Sequence, residues 1–362
     1  MSARVPPRDD LRALEGYHSP QLDVSVRLNT NESPFPPPPE FVAAWTSALR
    51  DAPLHRYPDR AAADLRAALG AQLGQPAERI FCANGSNEVL QTLFLTYGGA
   101  GRTALVFEPT YALHSHIARI TATEVVVGER RADFTIDPSE AVALIERAQP
   151  TLTFVCSPNN PTGTVEPFDT IDAILGATDG LVIVDEAYGE FAPRSALELV
   201  RDDSRLVVVR TYSKVWSMAA LRLGYAVAPT WVIEELDKVV LPYHLDVATQ
   251  LAGRLALDLA GEMDDRVQRL VDERERVAKE LDALPGLDVY PSGANFVLFR
   301  VQPEQGRDGH AVWQRMVDQG VLVRDFSRWP RLAECLRVTI GTPEENDAFL
   351  GALRAALQEG AA

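Results

Sequence analysis

Short apolar runs without alternation recur along the first two thirds of the chain, at 80–81, 104–107, 125–127, 152–156, 181–184, 206–209 and 225–227. Between most of them the apolar positions take helical spacing, as where Val89, Leu90, Leu93, Phe94 and Tyr97 share one face. Unbroken apolar strands alternating with helices belong to a mainly parallel sheet buried on both faces, because each crossover lays a helix over the sheet. The pattern predicts an α/β domain with a seven-stranded sheet sandwiched by helices. Beyond Pro242 the texture changes to one long helical segment over about 248–284. Strand candidates at 295–301, 321–325 and 336–340 follow, with helices at 310–319 and 343–358, the pattern of a smaller α+β domain. Pro34 and the four prolines at 36–39 stiffen the start and forbid a helix or central strand there. The expected division is an N-terminal arm over 1–35 packing on the small domain or a partner, a large domain over 36–245 and a small one over 246–362.

At 362 residues the chain exceeds what one core usually supports, and 46% hydrophobic with 24% charged residues is an ordinary globular composition. A net charge of −16 with no Lys/Arg-rich run repels a phosphate backbone, which argues against nucleic acid and leaves any anionic ligand to a few placed cations. Three cysteines, Cys82, Cys156 and Cys335, are an odd number without CxxC spacing. They form neither a disulfide framework nor a zinc site, and they suit a reducing compartment, so cytoplasm is the expectation. The opening MSARVPPRDDLRALEG has no apolar core of a signal peptide, and no apolar run approaches the roughly 20 residues that cross a bilayer.

An open parallel sheet binds ligands beyond the carboxyl ends of its strands, and the polar residues concentrate there. Asn84-Gly85-Ser86-Asn87 opens a helix whose free N–H groups and positive dipole end suit a phosphate, although Gly and Ser also serve such turns for backbone reasons alone. Asp185 ends the run at 181–184 and is followed by Tyr188; a carboxylate there requires a cation, cap or ligand to offset its desolvation. The rigid turn SPNNPTG (157–163) holds Asn159 and Asn160 at the same edge. Lys214 follows the run at 206–209, flanked by Thr211, Ser213, Val215 and Trp216 and near Arg222. As a loop lysine it is a solvated charge. As a desolvated one beside a like charge, its amine is shifted toward a nucleophile. Amine, carboxylate, amide, phenol and phosphate cradle with arginine make the set that pyridoxal phosphate asks for. His114 and His116, two apart on a predicted helix, diverge and are not expected to ligate a metal.

The chain resembles the fold-type I pyridoxal-phosphate aminotransferases, and within them the histidinol-phosphate aminotransferase family. The match runs from about Tyr17 to the C-terminus, through LNTNESP (28–34), RYPD (56–59), NGSNEVL (84–90), EPTY (108–111), CSPNNPTG (156–163), VDEAYGEF (184–191), RTYSKVWSMAALRLGY (210–225), ANFVLFR (294–300), VLVRDF (321–326) and CLRVTIGTPEEN (335–346). The resemblance implies that Lys214 binds the cofactor covalently and shuttles the substrate proton, and that Asp185 keeps the ring nitrogen protonated. It implies that Asn160 and Tyr188 hydrogen-bond the ring oxygen and that Tyr111 stacks on the ring. Ser86, Asn87, Thr211, Ser213 and Arg222 would hold the phosphate, with Tyr57 reaching it from the other subunit of a homodimer. Arg337 would clamp the substrate carboxylate or phosphate, with Arg324, Tyr17, Asn31 and Asn160 nearby, since an Arg fork meets such anions bidentately. Departures from the family pattern at His114, Trp216 and Ala220 are expected to bear on substrate choice.

The implied activity is amino transfer from L-histidinol phosphate to 2-oxoglutarate in histidine biosynthesis. An aromatic amino-acid aminotransferase on the same scaffold is the alternative, ahead of a pyridoxal-phosphate decarboxylase or a non-catalytic regulator that kept the fold.

Overall fold

The strand candidates assemble into two sheets. The computed structural model describes residues 5–12, 14, 16, 21–303 and 308–358. In chain order, β1 (Val26–Leu28), α1 (Pro39–Asp51), α2 (Ala63–Leu73), β2 (Ile80–Asn84), α3 (Gly85–Tyr97), β3 (Thr103–Glu108), α4 (Leu113–Ile120) and β4 (Glu124–Glu129) come first. Next are α5 (Pro138–Ala148), β5 (Leu152–Cys156), α6 (Phe168–Ala177), β6 (Leu181–Asp185), β7 (Leu206–Thr211), β8 (Leu223–Val227), α7 (Thr230–Val239) and α8 (Val247–Ala256). The chain finishes with α9 (Ala260–Asp282), β9 (Leu287–Val289), β10 (Phe296–Val301), α10 (Gly309–Asp318), β11 (Val321–Asp325), β12 (Cys335–Thr339) and α11 (Pro343–Gln358).

Each of the seven early apolar runs forms a strand of one sheet, ordered β2-β8-β7-β6-β5-β3-β4. Strands β5 to β8 are buried at every position, which is why their residues do not alternate. Successive residues supply opposite faces: Val182 and Val184 enter one core cluster, Leu181 and Ile183 the other. From β7 to β4 all neighbours are parallel, whereas β8 runs against both β2 and β7. This reversal brings the amino end of β8 to the carboxyl edge of the sheet, where Leu223 pairs with Asn84 and Gly224 with Thr211. Arg222 therefore reaches the same edge as Asp185 by entering β8 rather than by leaving a strand.

The second sheet has the order β1-β11-β12-β10-β9. Its three longer strands match the sequence expectation, and the three-residue β1 and β9 were too short to carry a pattern. The helix expected over about 248–284 is broken by a 3-10 turn at Leu257–Leu259. Physically, the two halves serve different cores. Ala252, Ala256 and Leu257 pack with Leu65 and Leu223 beside the large sheet, whereas Met263, Leu270, Val277 and Leu281 of α9 pack on the small one. By this packing we place the change of lobe at the turn, past the composition shift near 242–248. The described part of the arm touches both lobes: β1 pairs in parallel with β11, and Arg8 Nη2 donates to the Ile120 carbonyl at 3.1 Å.

Candidate active site

A cavity of about 400 Å³ opens at the carboxyl edge of the large sheet, under the small lobe. At one end, Ser86 and Asn87 lie in the first turn of α3, whose unpaired N–H groups and dipole favour an anion. Thr211 Oγ1 donates to Ser213 Oγ at 2.9 Å, and the Arg222 guanidinium reaches Ser213 Oγ and the Ala219 carbonyl. Two glycines make this approach possible. A Cβ on Gly85, which has φ +77°, would lie 2.7 Å from Arg222 Nη2, and one on Gly224 would lie 2.2 Å from the Ser86 nitrogen.

Asp185 ends β6 fully buried, and its carboxylate is met on both oxygens: Oδ1 accepts from the Ala187 N–H at 3.1 Å and Oδ2 faces His114 Nε2 at 2.8 Å. His114 stacks on Phe154 and stands edge-on to Tyr111, and it is wholly buried. The departure at His114 thus lies behind the acid and not at the substrate end. The first turn of α4 aims residue 114 at the sheet, a direction that residue type alone did not reveal.

Lys214 leaves the end of β7 partly buried, with Nζ donating to the Thr30 carbonyl at 3.2 Å and lying 5.6 Å from the centre of the Tyr188 ring. Burial, then the positive charge of Arg337, lowers its pKa from 10.5 to about 8; Glu32 opposes this, and Arg222 adds less. The like charge expected from Arg222 is outweighed by one from the other lobe. Burial pushes the Tyr188 phenol up to about 12, and its oxygen accepts from Asn31 Nδ2 at 2.8 Å. Asn31 is fixed in turn by Thr339, which donates to its amide oxygen and accepts from its N–H, both at 2.9 Å.

Arg324 and Arg337 face each other across the β11–β12 ladder, both buried and both lining the cavity. Arg337 donates to Asn160 Oδ1, and to the Asn29 carbonyl at 2.9 Å. Tyr111 donates to Asn87 Oδ1 at 3.2 Å and lines the same cavity. Asn159 instead ties its own turn to Thr110, Thr162 and the Pro109 carbonyl, so Asn160 alone of the two faces inward.

The structure therefore gathers Lys214, Asp185, Tyr188, Asn160, Tyr111, Ser86, Asn87, Thr211, Ser213, Arg222, Arg337, Arg324 and Asn31 around one cavity. Tyr57 is not among them: it is 79% exposed and stacks on Tyr243 at 4.4 Å. Tyr17 lies outside the described residues. Of the other departures, Ala220 lines the cavity beside Arg222, while Trp216 stacks on Tyr212, packs against both cores and is not among the cavity-lining residues. Glu32, Phe326 and Trp329 line the cavity without having been singled out from sequence.

Pyridoxal phosphate fits these residues. The glycine-cleared cradle suits its phosphate, the depressed amine its aldehyde, and the buried Asp185 a protonated ring nitrogen. The chain belongs to the aminotransferase class I and II family, whose model matches residues 24–353. As a member it takes an amino donor and a 2-oxo acid. Among its relatives, the histidinol-phosphate aminotransferases of Frankia casuarinae and Thermobifida fusca are each 47% identical to it, covering 96% of this chain and 89% and 95% of their own. The crystal structure of histidinol-phosphate aminotransferase from Sinorhizobium meliloti in complex with pyridoxal-5'-phosphate superposes with a TM-score of 0.89, at 24% identity and 99% coverage of both chains.

Proposed function

We propose that this aminotransferase moves the amino group of L-histidinol phosphate to 2-oxoglutarate, releasing imidazole-acetol phosphate and L-glutamate, in the histidine-biosynthetic step. The observation that carries the reading is one cavity with an anion cradle at one end, two opposed arginines at the other and the Lys214 amine, at about 8, between them. The identity to relatives of that name over nearly the whole chain supports the choice of donor.

When bound, pyridoxal phosphate supplies the aldehyde that carries the amino group and the ring that draws electrons from the substrate Cα. The chain's residues then divide the work. Ser86, Asn87, Thr211, Ser213 and Arg222, which line the cavity, would anchor the phosphate and so orient the ring before substrate enters. Asp185, steadied by His114, would keep the ring nitrogen protonated. Asn160 and Tyr188 would hydrogen-bond the ring oxygen, and Tyr111 would stack on the ring; all three line the cavity. Lys214, whose amine can lose its proton near neutral pH, would serve as the base for the substrate Cα proton. Arg324 and Arg337 meet the phosphate of one substrate and the carboxylates of the other in alternate halves of the cycle.

The exposed Tyr57 supports a homodimer in which each subunit completes its partner's anion cradle. The free, buried Cys82, Cys156 and Cys335 suit the cytoplasm. Glutamate formation from 2-oxoglutarate, followed with L-histidinol phosphate and with L-phenylalanine as donors, tests the reading. The expected result is a higher kcat/KM for L-histidinol phosphate. A large preference for L-phenylalanine would replace the reading with the aromatic one.

A further inference from the structure

Residues 326–334, between β11 and β12, form a loop that crosses from the small lobe to the large one. Its ends are closed on the small sheet, where Phe326 N–H donates to the Cys335 carbonyl, Ser327 N–H to Asp325 Oδ1 at 2.8 Å and Glu334 N–H to the Ser327 carbonyl. Its middle is held by the other lobe. Leu332, 1% exposed, and Phe326 pack with Phe134, which follows β4. Arg331 forks onto Glu129 through Nε and Nη2 and reaches Glu108 through Nη1 at 3.0 Å.

Those two carboxylates are a register pair, directly opposite at the ends of parallel β3 and β4. Like charges so placed repel each other unless a cation sits between them. Arg331 supplies that cation from the small lobe, and its guanidinium holds the Glu129 carboxyl below the usual range. Two residues before Arg331, Trp329 lines the cavity. It stands edge-on to Phe326 at 5.1 Å, with the Arg324 guanidinium 6.0 Å from the centre of its ring. At 38% exposure it offers an apolar face that a bound molecule can cover. On the reading above Tyr111 and Tyr188 would serve the cofactor, which leaves Phe326 and Trp329 as the other aromatic side chains that line the cavity among the described residues.

We propose that Trp329 is a specificity-determining wall against which a planar ring on the amino donor packs, and that Arg331 is the positioning residue that holds this wall in place by gripping Glu129 and Glu108. The inference rests on the aminotransferase reading above and names the part of the donor that the arginines do not recognise. Glutamate, which enters the same site without a ring, gains nothing from the wall.

The test is steady-state kinetics of the holoenzyme with L-histidinol phosphate and L-phenylalanine as donors to 2-oxoglutarate, and with L-glutamate as donor to imidazole-acetol phosphate in the reverse direction. In Trp329→Ala the ratio of ring-donor KM to glutamate KM rises about tenfold, while kcat for ring donors shifts by no more than about twofold, as loss of a ring stack predicts. Arg331→Ala and Glu129→Gln raise the same ratio by about three- to tenfold, and Arg331→Lys keeps part of the wild-type value. The double variant Trp329→Ala/Arg331→Ala is no worse than Trp329→Ala alone, because Arg331 acts through the indole. An unchanged ratio in Trp329→Ala, or effects that multiply in the double variant, overturns the inference while leaving the proposed activity standing. Failure of the wild type to use either ring donor overturns both.

Discussion

Lys214 illustrates how one side chain carries a cost that the site exploits. Its pKa falls from 10.5 to about 8 on folding, so the unfolded chain binds more protons between those values and stability rises with pH across that window. Below about 8 both states are protonated and the folded protein bears the full cost of the buried ammonium. In cofactor-free protein, Lys214→Met is therefore more stable than wild type at pH 7 by on the order of 2 kcal/mol, discounted for partial exposure. The gap closes as pH approaches 10.5. Urea melts at several pH values measure it, and a gap independent of pH would refute the desolvation account. Lys214 and Asp185 could be read from sequence for the same reason: a charge at the tail of an apolar run signals an unmet electrostatic demand. His114 could not, because its role depends on which way the first turn of α4 faces, and its contact with Asp185 spans elements far apart in the chain.

Among the elements, the turn from β2 into α3 and the antiparallel β8 build the anion cradle together. Gly224 lies in β8 with no room for a side chain against the Ser86 nitrogen. Gly224→Ala must push the first turn of α3 away from Arg222, so it is expected to raise the Kd for pyridoxal phosphate by about tenfold or more. Overpacking should also lower stability on the order of 2 kcal/mol. Equilibrium dialysis and thermal melts read both, and an alanine variant with wild-type cofactor affinity would show that the cradle is not where the phosphate binds. The strands of the large sheet were readable because unbroken burial leaves unbroken apolar runs. The break at Leu257–Leu259 was not, because both halves of that segment are good helix and only the change of packing partner separates them.

At the level of the assembled protein, Tyr57 is the residue through which the proposed homodimer can be tested. It stacks on Tyr243 beside exposed Leu241 and Leu54, an apolar surface a second subunit would cover. If each site takes Lys214 from one subunit and Tyr57 from the other, mixing inactive Lys214→Ala with impaired Tyr57→Ala under subunit exchange restores about a quarter of the sites. Activity no greater than the average of the two homodimers would argue for self-contained sites. The pairing of Arg324 with Arg337 and the course of the 326–334 loop carried no sequence period, since they depend on contacts between elements far apart in the chain.

Strand β1 has a consequence for how this architecture can be taken apart. The edge of the small sheet is closed by residues that precede the entire large lobe, and Asn29 to Asn31 run straight from that edge into the cavity. A transplant of the C-terminal lobe as one continuous piece would carry a bare β11 edge, open to pairing with another chain. The smaller lobe is heritable only as two separated segments, so recombination that shuffles it intact needs crossovers on both sides of the larger one.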